Sequence, residues 1–178
     1  YLVTEKDYSW EDIGIEKNRK VIITNISRRL KYQDAFDIVD KIDYSCYIIV
    51  ANSDIFFDNT LIKLYKSGLS KKKKVYCQLR FEYTDTDLDK CKVFGPRGDS
   101  QDSWIFHKNY NINKNFRKVF NFELGKPACD NHINYLFSIL GYAVHNEPFL
   151  IKSYHYHTSD FRTYTAETAR ISKPWLRV

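Results

Sequence analysis

The sequence predicts an α/β fold with a mixed, mostly parallel sheet flanked by helices, and two observations carry that expectation. The first is an order of elements. Lys20 to Ile26 has the β-branched content of a strand, Tyr32 to Ile42 has helical periodicity, and Tyr47-Ile48-Ile49-Val50-Ala51 is a short apolar run. Strand, helix and strand in that order form a βαβ unit, whose crossover sets the two strands parallel. The second is that the run from Tyr47 to Ala51 does not alternate, which reads as a strand buried on both faces at the centre of a parallel sheet. Ligands of open α/β sheets bind beyond the carboxyl ends of such strands, where Asn52-Ser53-Asp54 would emerge, with a second carboxylate, Asp58, close behind.

Each element has its own warrant. Tyr1-Leu2-Val3 reads as a strand end, followed by a polar stretch containing Trp10. In the first helix Ala35, Ile38, Val39 and Ile42 share a face, with Asp34, Asp37 and Lys41 elsewhere. Leu61, Ile62, Leu64 and Tyr65 suggest a short amphipathic helix ended by Gly68, and Lys74 to Arg80 reads as a strand. The loop from Thr84 to Lys92 carries Asp85, Asp87 and Asp89, but it lacks the glycine and the closing glutamate of a calcium loop. Gly95-Pro96-Arg97-Gly98 is a turn, after which Ser103 to His107 resumes a strand; Asp99, Ser100, Gln101 and Asp102 stand at its mouth. Polar residues there could meet a ligand or satisfy a turn.

A second helix opens near Pro127, has Asp130 in its first turn, and carries Ile133, Leu136, Phe137 and Leu140 as a stripe that stops at Gly141. Asp130 reads either as a carboxylate favoured at a helix N-terminus or as one held rigidly toward a cleft. Tyr142 to Val144 is a strand edge. In the extended stretch from Phe149 to His157, His155 and His157 share one face and Tyr154 and Tyr156 the other, a spacing that serves a metal or a structural pair.

Composition narrows the classes. A chain of 178 residues is expected to form a single domain over residues 1–178. It opens on Tyr1 and contains no methionine, which suggests a fragment or an excised domain with further domains in the same chain. No apolar stretch reaches the roughly 20 residues of a membrane span. The formal charge of +6 points to an anionic partner, yet four of those charges are the block Lys71 to Lys74, which reads as a solvated loop and not as a nucleic-acid surface. Cys46, Cys77, Cys91 and Cys129 have no CxxC pair or zinc-like spacing, so reduced thiols and a cytoplasmic setting are expected.

Taken together, ANSDIFFDNTL (51–61), GDSQDSWIF (98–106), LGKPACDNHINYLFSILGY (124–142) and IKSYHYHTSDFR (151–162), with RRLKYQDAF (28–36), resemble the GT-A fold glycosyltransferases of large DNA viruses and bacterial polysaccharide clusters. The resemblance implies a Rossmann-like GT-A domain that moves a sugar from a UDP- or GDP-linked donor to a glycan or protein-linked acceptor, in the host cytoplasm if the source is viral. It also implies roles. Asn52-Ser53-Asp54 looks like the DxD-type motif, with Asn52 in place of the first Asp; Asp54 would help bind a divalent cation and His157, ahead of His155, would complete the metal site. Asp130 is similar to the catalytic base of inverting members, Asp102 and Gln101 fall where donor sugar or acceptor is held, and Arg28 or Arg29 would contact the diphosphate. An imidazole beside a carboxylate favours Mn²⁺ over Mg²⁺. The rival readings are a non-catalytic sugar- or partner-binding module that keeps the fold and, less favoured, a metal-dependent nuclease.

Overall fold

The computed structural model describes residues 1–156 and 170–178. Its strands are β1 (Leu2–Thr4), β2 (Ile23–Asn25), β3 (Tyr47–Ala51), β4 (Ile55–Phe57), β5 (Lys74–Leu79), β6 (Phe81–Glu82), β7 (Lys92–Val93), β8 (Gln101–His107), β9 (Ala143–His145) and β10 (Ser153–His155). The α-helices are α1 (Tyr32–Asp40) and α2 (Cys129–Ile139), joined by 3₁₀ segments such as Asn59–Lys66 and Lys114–Phe120. The chain is therefore a mixed α/β protein.

The central sheet has the order β3-β8-β5-β9. One of its faces, formed by Ile48, Val50, Val75, Cys77, Trp104 and Phe106, packs with Tyr32, Phe36 and Val39 of α1 and Ile133, Leu136 and Phe137 of α2 in the main core. The other face, with Tyr47, Ile49, Tyr76 and Ile105, is covered by Leu61, Leu64, Leu69 and Ile151. Burial of these side chains is the chief stabilising term, each large one contributing about 1.5–3 kcal/mol.

Two expectations need correction. β3 and β8 are antiparallel, as are β8 and β5; only β5 and β9 run parallel within this sheet. β3 is also the terminal strand, not a central one. Its unbroken apolar run reports two covered faces, and covering says nothing about strand direction. Nor do β2 and β3 close a βαβ unit, because β2 pairs in parallel with β1 in a separate two-stranded sheet.

A third sheet has the order β4-β10-β6-β7, with β10 antiparallel to β4 and parallel to β6. The chain passes from the central sheet into this one three times: from β3 to β4 through Asn52-Ser53-Asp54, from β5 to β6 through Arg80, and from β9 to β10 through residues 146–152. The second passage follows a bulge at Gln78/Leu79. A bulge bends a strand and re-aims the side chains beyond it.

Two of the block lysines serve the fold. Lys73 Nζ donates to Leu140 O at the end of α2 (2.5 Å), and Lys74 Nζ donates to Ser67 O (3.0 Å). The cysteines are free thiols, with Cys77, Cys91 and Cys129 buried and Cys46 partly so. Among the described residues no helix is long and apolar enough to cross a membrane.

Candidate active site

The first two of these passages deliver polar side chains to one place. From the first, Asn52 Nδ2 donates to Asp102 Oδ1 (3.0 Å) and Asn52 N donates to Asp102 O (3.1 Å). From the second, Arg80 Nη1 donates to Asp102 Oδ2 (2.6 Å) and Ser100 Oγ (3.0 Å), while its Nε donates to Glu82 Oε1 (3.0 Å). Glu82 Oε2 faces His155 Nδ1 (3.3 Å), and His155 Nε2 faces Asp54 Oδ2 (3.0 Å). The result is a continuous polar chain, Asn52–Asp102–Arg80–Glu82–His155–Asp54, in which Asp102, Glu82 and His155 come from β8, β6 and β10 and Asn52, Asp54 and Arg80 from the passages between the sheets.

Asp130 joins it through β8, since Gln101 N donates to Asp130 Oδ2 (3.3 Å). Burial pushes the Asp130 carboxyl up to about 6, and the neighbouring charge of Asp102 adds to the rise against backbone hydrogen bonds. Burial also raises Asp102 above the ordinary carboxylate range, with Arg80 pulling the other way. The two acids differ in their partners: the oxygens of Asp102 accept from Asn52 and Arg80 at 3.0 and 2.6 Å, whereas Gln101 N and Asn131 Nδ2 approach Asp130 at 3.3 Å each.

The amide at position 52 has a local reason. An aspartate there would set a second carboxylate against Asp102, where the amide nitrogen now donates. Its Oδ1 is buried and has no hydrogen-bond partner among the described residues.

Other expected residues lie differently. Arg28 is held by Asp34 in a two-armed pair (2.7 Å for each arm) beside α1. Arg29 Nε donates to Leu124 O (3.0 Å) in the loop ahead of α2. The Gln101 side chain is buried, its Nε2 donating to Val178 O (3.2 Å) and its Oε1 accepting from Asn134 Nδ2 (2.9 Å). Ser53 is exposed beside Asp54. Asp58 caps the following 3₁₀ segment by accepting from Thr60 N (2.8 Å) and also accepts from Tyr154 Oη (3.1 Å). His157 lies outside the described residues.

Arg80 and Glu82 are site residues that the sequence reading passed over. A signal was present: Arg80 stands between the buried Leu79 and Phe81, and a guanidinium in such a run requires buried partners.

Two clefts flank the polar chain. One of ≈ 620 Å³ is bordered by Glu82, Lys92, Phe94 and Arg97, and one of ≈ 380 Å³ by Asp54, Phe56, Tyr83 and Tyr156. Both fall within the usual range of small-ligand sites, about 300–1,000 Å³. Among the described residues no group of three or more His, Cys, Asp or Glu side chains gathers to hold a metal ion. No protein-family model, curated protein or solved structure matches the chain.

Proposed function

We propose that the chain is a metal-dependent, inverting glycosyltransferase that uses a nucleotide-sugar donor and a hydroxyl acceptor. The observation that carries this reading is the convergence, at the crossing between two sheets, of a carboxylate–imidazole pair (Asp54, His155) with two carboxyl groups in unlike surroundings (Asp102, Asp130). Pairs of acids whose environments differ are the usual mark of divided acid–base labour.

A divalent cation fits the pair. Two carboxylates, which only accept hydrogen bonds, flank the His155 ring: Glu82 Oε2 lies 3.3 Å from Nδ1 and Asp54 Oδ2 lies 3.0 Å from Nε2. A proton on Nε2 satisfies the Asp54 contact in the absence of a cation, and a cation that displaced it would take the same two atoms as ligands. Asp54 and His155 would hold Mn²⁺, with donor phosphates and water filling its other positions as is common for such ions. When bound, the cation offsets the charge that develops on the departing diphosphate.

The chain's own residues then divide the work. Asp130, titrating near 6, is ionised at neutral pH yet basic enough to take the proton of an attacking hydroxyl, a role worth about 10²–10⁴-fold. Asp102, gripped by Asn52 and Arg80, is fixed in orientation. The clefts beside Glu82 and Asp54 give room for two substrates.

The test is release of free nucleotide from a panel of UDP- and GDP-sugars with Mn²⁺, with and without saccharide acceptors. Asp130→Asn should abolish transfer and retain donor binding. Failure of the wild-type chain to bind or turn over any donor would overturn the reading, and saccharide binding without turnover or metal dependence would favour a non-catalytic module.

A further inference from the structure

We infer that the 3₁₀ segment Asn59–Lys66, with the lysine turn that follows it, is a docking surface for a membrane that carries anionic phospholipids. None of its residues lines the two clefts of the candidate site, and its role needs no transferase chemistry.

The segment has three faces of different chemistry. A 3₁₀ helix has three residues per turn, so side chains at i and i+3 stand one above the other. Leu61 and Leu64 turn inward and pack with Leu69, Tyr76 and Ile151 against the central sheet. Ile62 and Tyr65 share the second face and are 72% and 79% exposed, the two most exposed large apolar or aromatic side chains among the described residues. Lys63 and Lys66 share the third face and are also exposed. A surface helix ordinarily presents polar groups everywhere except on the face that meets its core. Here a second apolar face looks outward, with lysines beside it.

The platform is held rigidly. Asp58 accepts from Thr60 N (2.8 Å) at its start, and at its end Ser67 Oγ donates to Leu64 O (2.6 Å). Ser67 O accepts from Lys74 Nζ (3.0 Å) and Tyr76 Oη (3.3 Å) on β5. Lys71 N and Lys72 N both donate to Gly68 O (3.0 and 3.1 Å), so the turn folds those two lysines back toward the end of the segment.

Charge identifies the occupant. Between Asp58 and Glu82 the sequence holds six lysines, one arginine and no Asp or Glu. Lys73 and Lys74 are engaged with backbone carbonyls. Lys63, Lys66, Lys71 and Lys72 remain exposed and, among the described residues, make no ion pair. Four unpaired ammonium groups around an outward apolar pair match the surface of an anionic bilayer. Headgroup charge attracts each lysine, worth about fivefold in affinity, and the apolar pair enters the boundary between headgroups and acyl chains. A nucleic acid would satisfy the lysines but leave Ile62, which has no π face for a base to stack on, in water.

The experiment is co-sedimentation of the full chain with vesicles of phosphatidylcholine alone or with roughly a third phosphatidylserine. The wild type binds the anionic vesicles and not the neutral ones, and is released as salt rises from about 0.1 M to about 1 M, where the screening length falls from about 10 Å to about 3 Å. Replacing Lys63, Lys66, Lys71 and Lys72 together by Gln lowers the affinity about 10²–10³-fold, the product of four such factors, and Ile62→Ser lowers it about tenfold. Ile62→Trp reads the depth of seating, as a blue shift of tryptophan emission on anionic vesicles beyond any that the wild type shows. All of these side chains are exposed, so the substitutions leave the core intact, which near-UV circular dichroism checks; the single variants at position 62 keep the test usable if the fourfold variant fails to fold. Binding to neither vesicle, equal binding to both, or anionic binding unchanged in the fourfold variant and in Ile62→Ser overturns the inference. So does binding of a mixed-sequence RNA or DNA duplex more tightly than anionic vesicles and lost in the fourfold variant, which would assign the patch to nucleic acid.

Discussion

Asp130 has two descriptions at the residue scale, a helix-end carboxylate that stabilises α2 or a buried base that costs stability. Stability against pH separates them. Its carboxyl titrates at about 6 when folded against an ordinary 3.8, so the folded state holds the proton more tightly than the unfolded one. The resulting stabilisation is complete below about pH 4 and is lost as pH rises through about 6. Above that, the ionised group costs on the order of 2–3 kcal/mol. Asp130→Asn should therefore be more stable than wild type at pH 7.5, by that order, and close to it at pH 4, as read by urea denaturation. A less stable variant at pH 7.5 would return Asp130 to the capping role. Asn52→Asp makes a companion prediction. It replaces the amide donor to Asp102 with a second carboxylate, and should cost about 1–3 kcal/mol at neutral pH in the same measurement.

At the scale of elements, α2 is tied to β8 by a buried amide. Asn134 Oδ1 accepts from Trp104 Nε1 (3.1 Å) and its Nδ2 donates to Gln101 Oε1 (2.9 Å), both contacts being buried. The tie sets the helix that carries Asp130 against the strand that carries Asp102. Asn134→Leu should cost about 2–4 kcal/mol, because two buried polar groups lose their partner together, and tryptophan fluorescence during denaturant unfolding would measure it. A change under about 0.5 kcal/mol would mean that the stripe of Ile133, Leu136 and Phe137 fixes the helix alone. That stripe was legible from its spacing, as were α1, β3, β5 and β8, since each shows its period within a few residues. The amide tie was not, because Asn134 on a helix has no sequence signal that distinguishes a buried partner from water.

For the whole molecule, the strand order sets where stability lies. β8 and β5 are each paired on both sides and covered on both faces, whereas among the described residues β1 and β2 pair only with one another. Amide hydrogen exchange should be slowest in β5 and β8 and fastest in β1 and β2; equal protection across the sheets would contradict this order. The crossings from β3 to β4 and from β5 to β6 place the candidate site at the edge of the best-protected part. A site there has rigid walls from the central sheet and open clefts toward the smaller one.

The sequence by itself determined the mixed α/β class, the two α-helices and most core strands, because periodicity, turn residues and short apolar runs are local signals. Tertiary structure alone decided that β3 runs antiparallel at the end of its sheet, that β2 belongs to another sheet, and that Arg80 and Glu82 join the site while Arg28 is held by Asp34. It also gave Asn52 its reason. The physical cause is common to all of these: an apolar run records that both faces are covered, but strand direction and the partners of a buried charge depend on residues distant in sequence, which only the folded chain brings within hydrogen-bond reach.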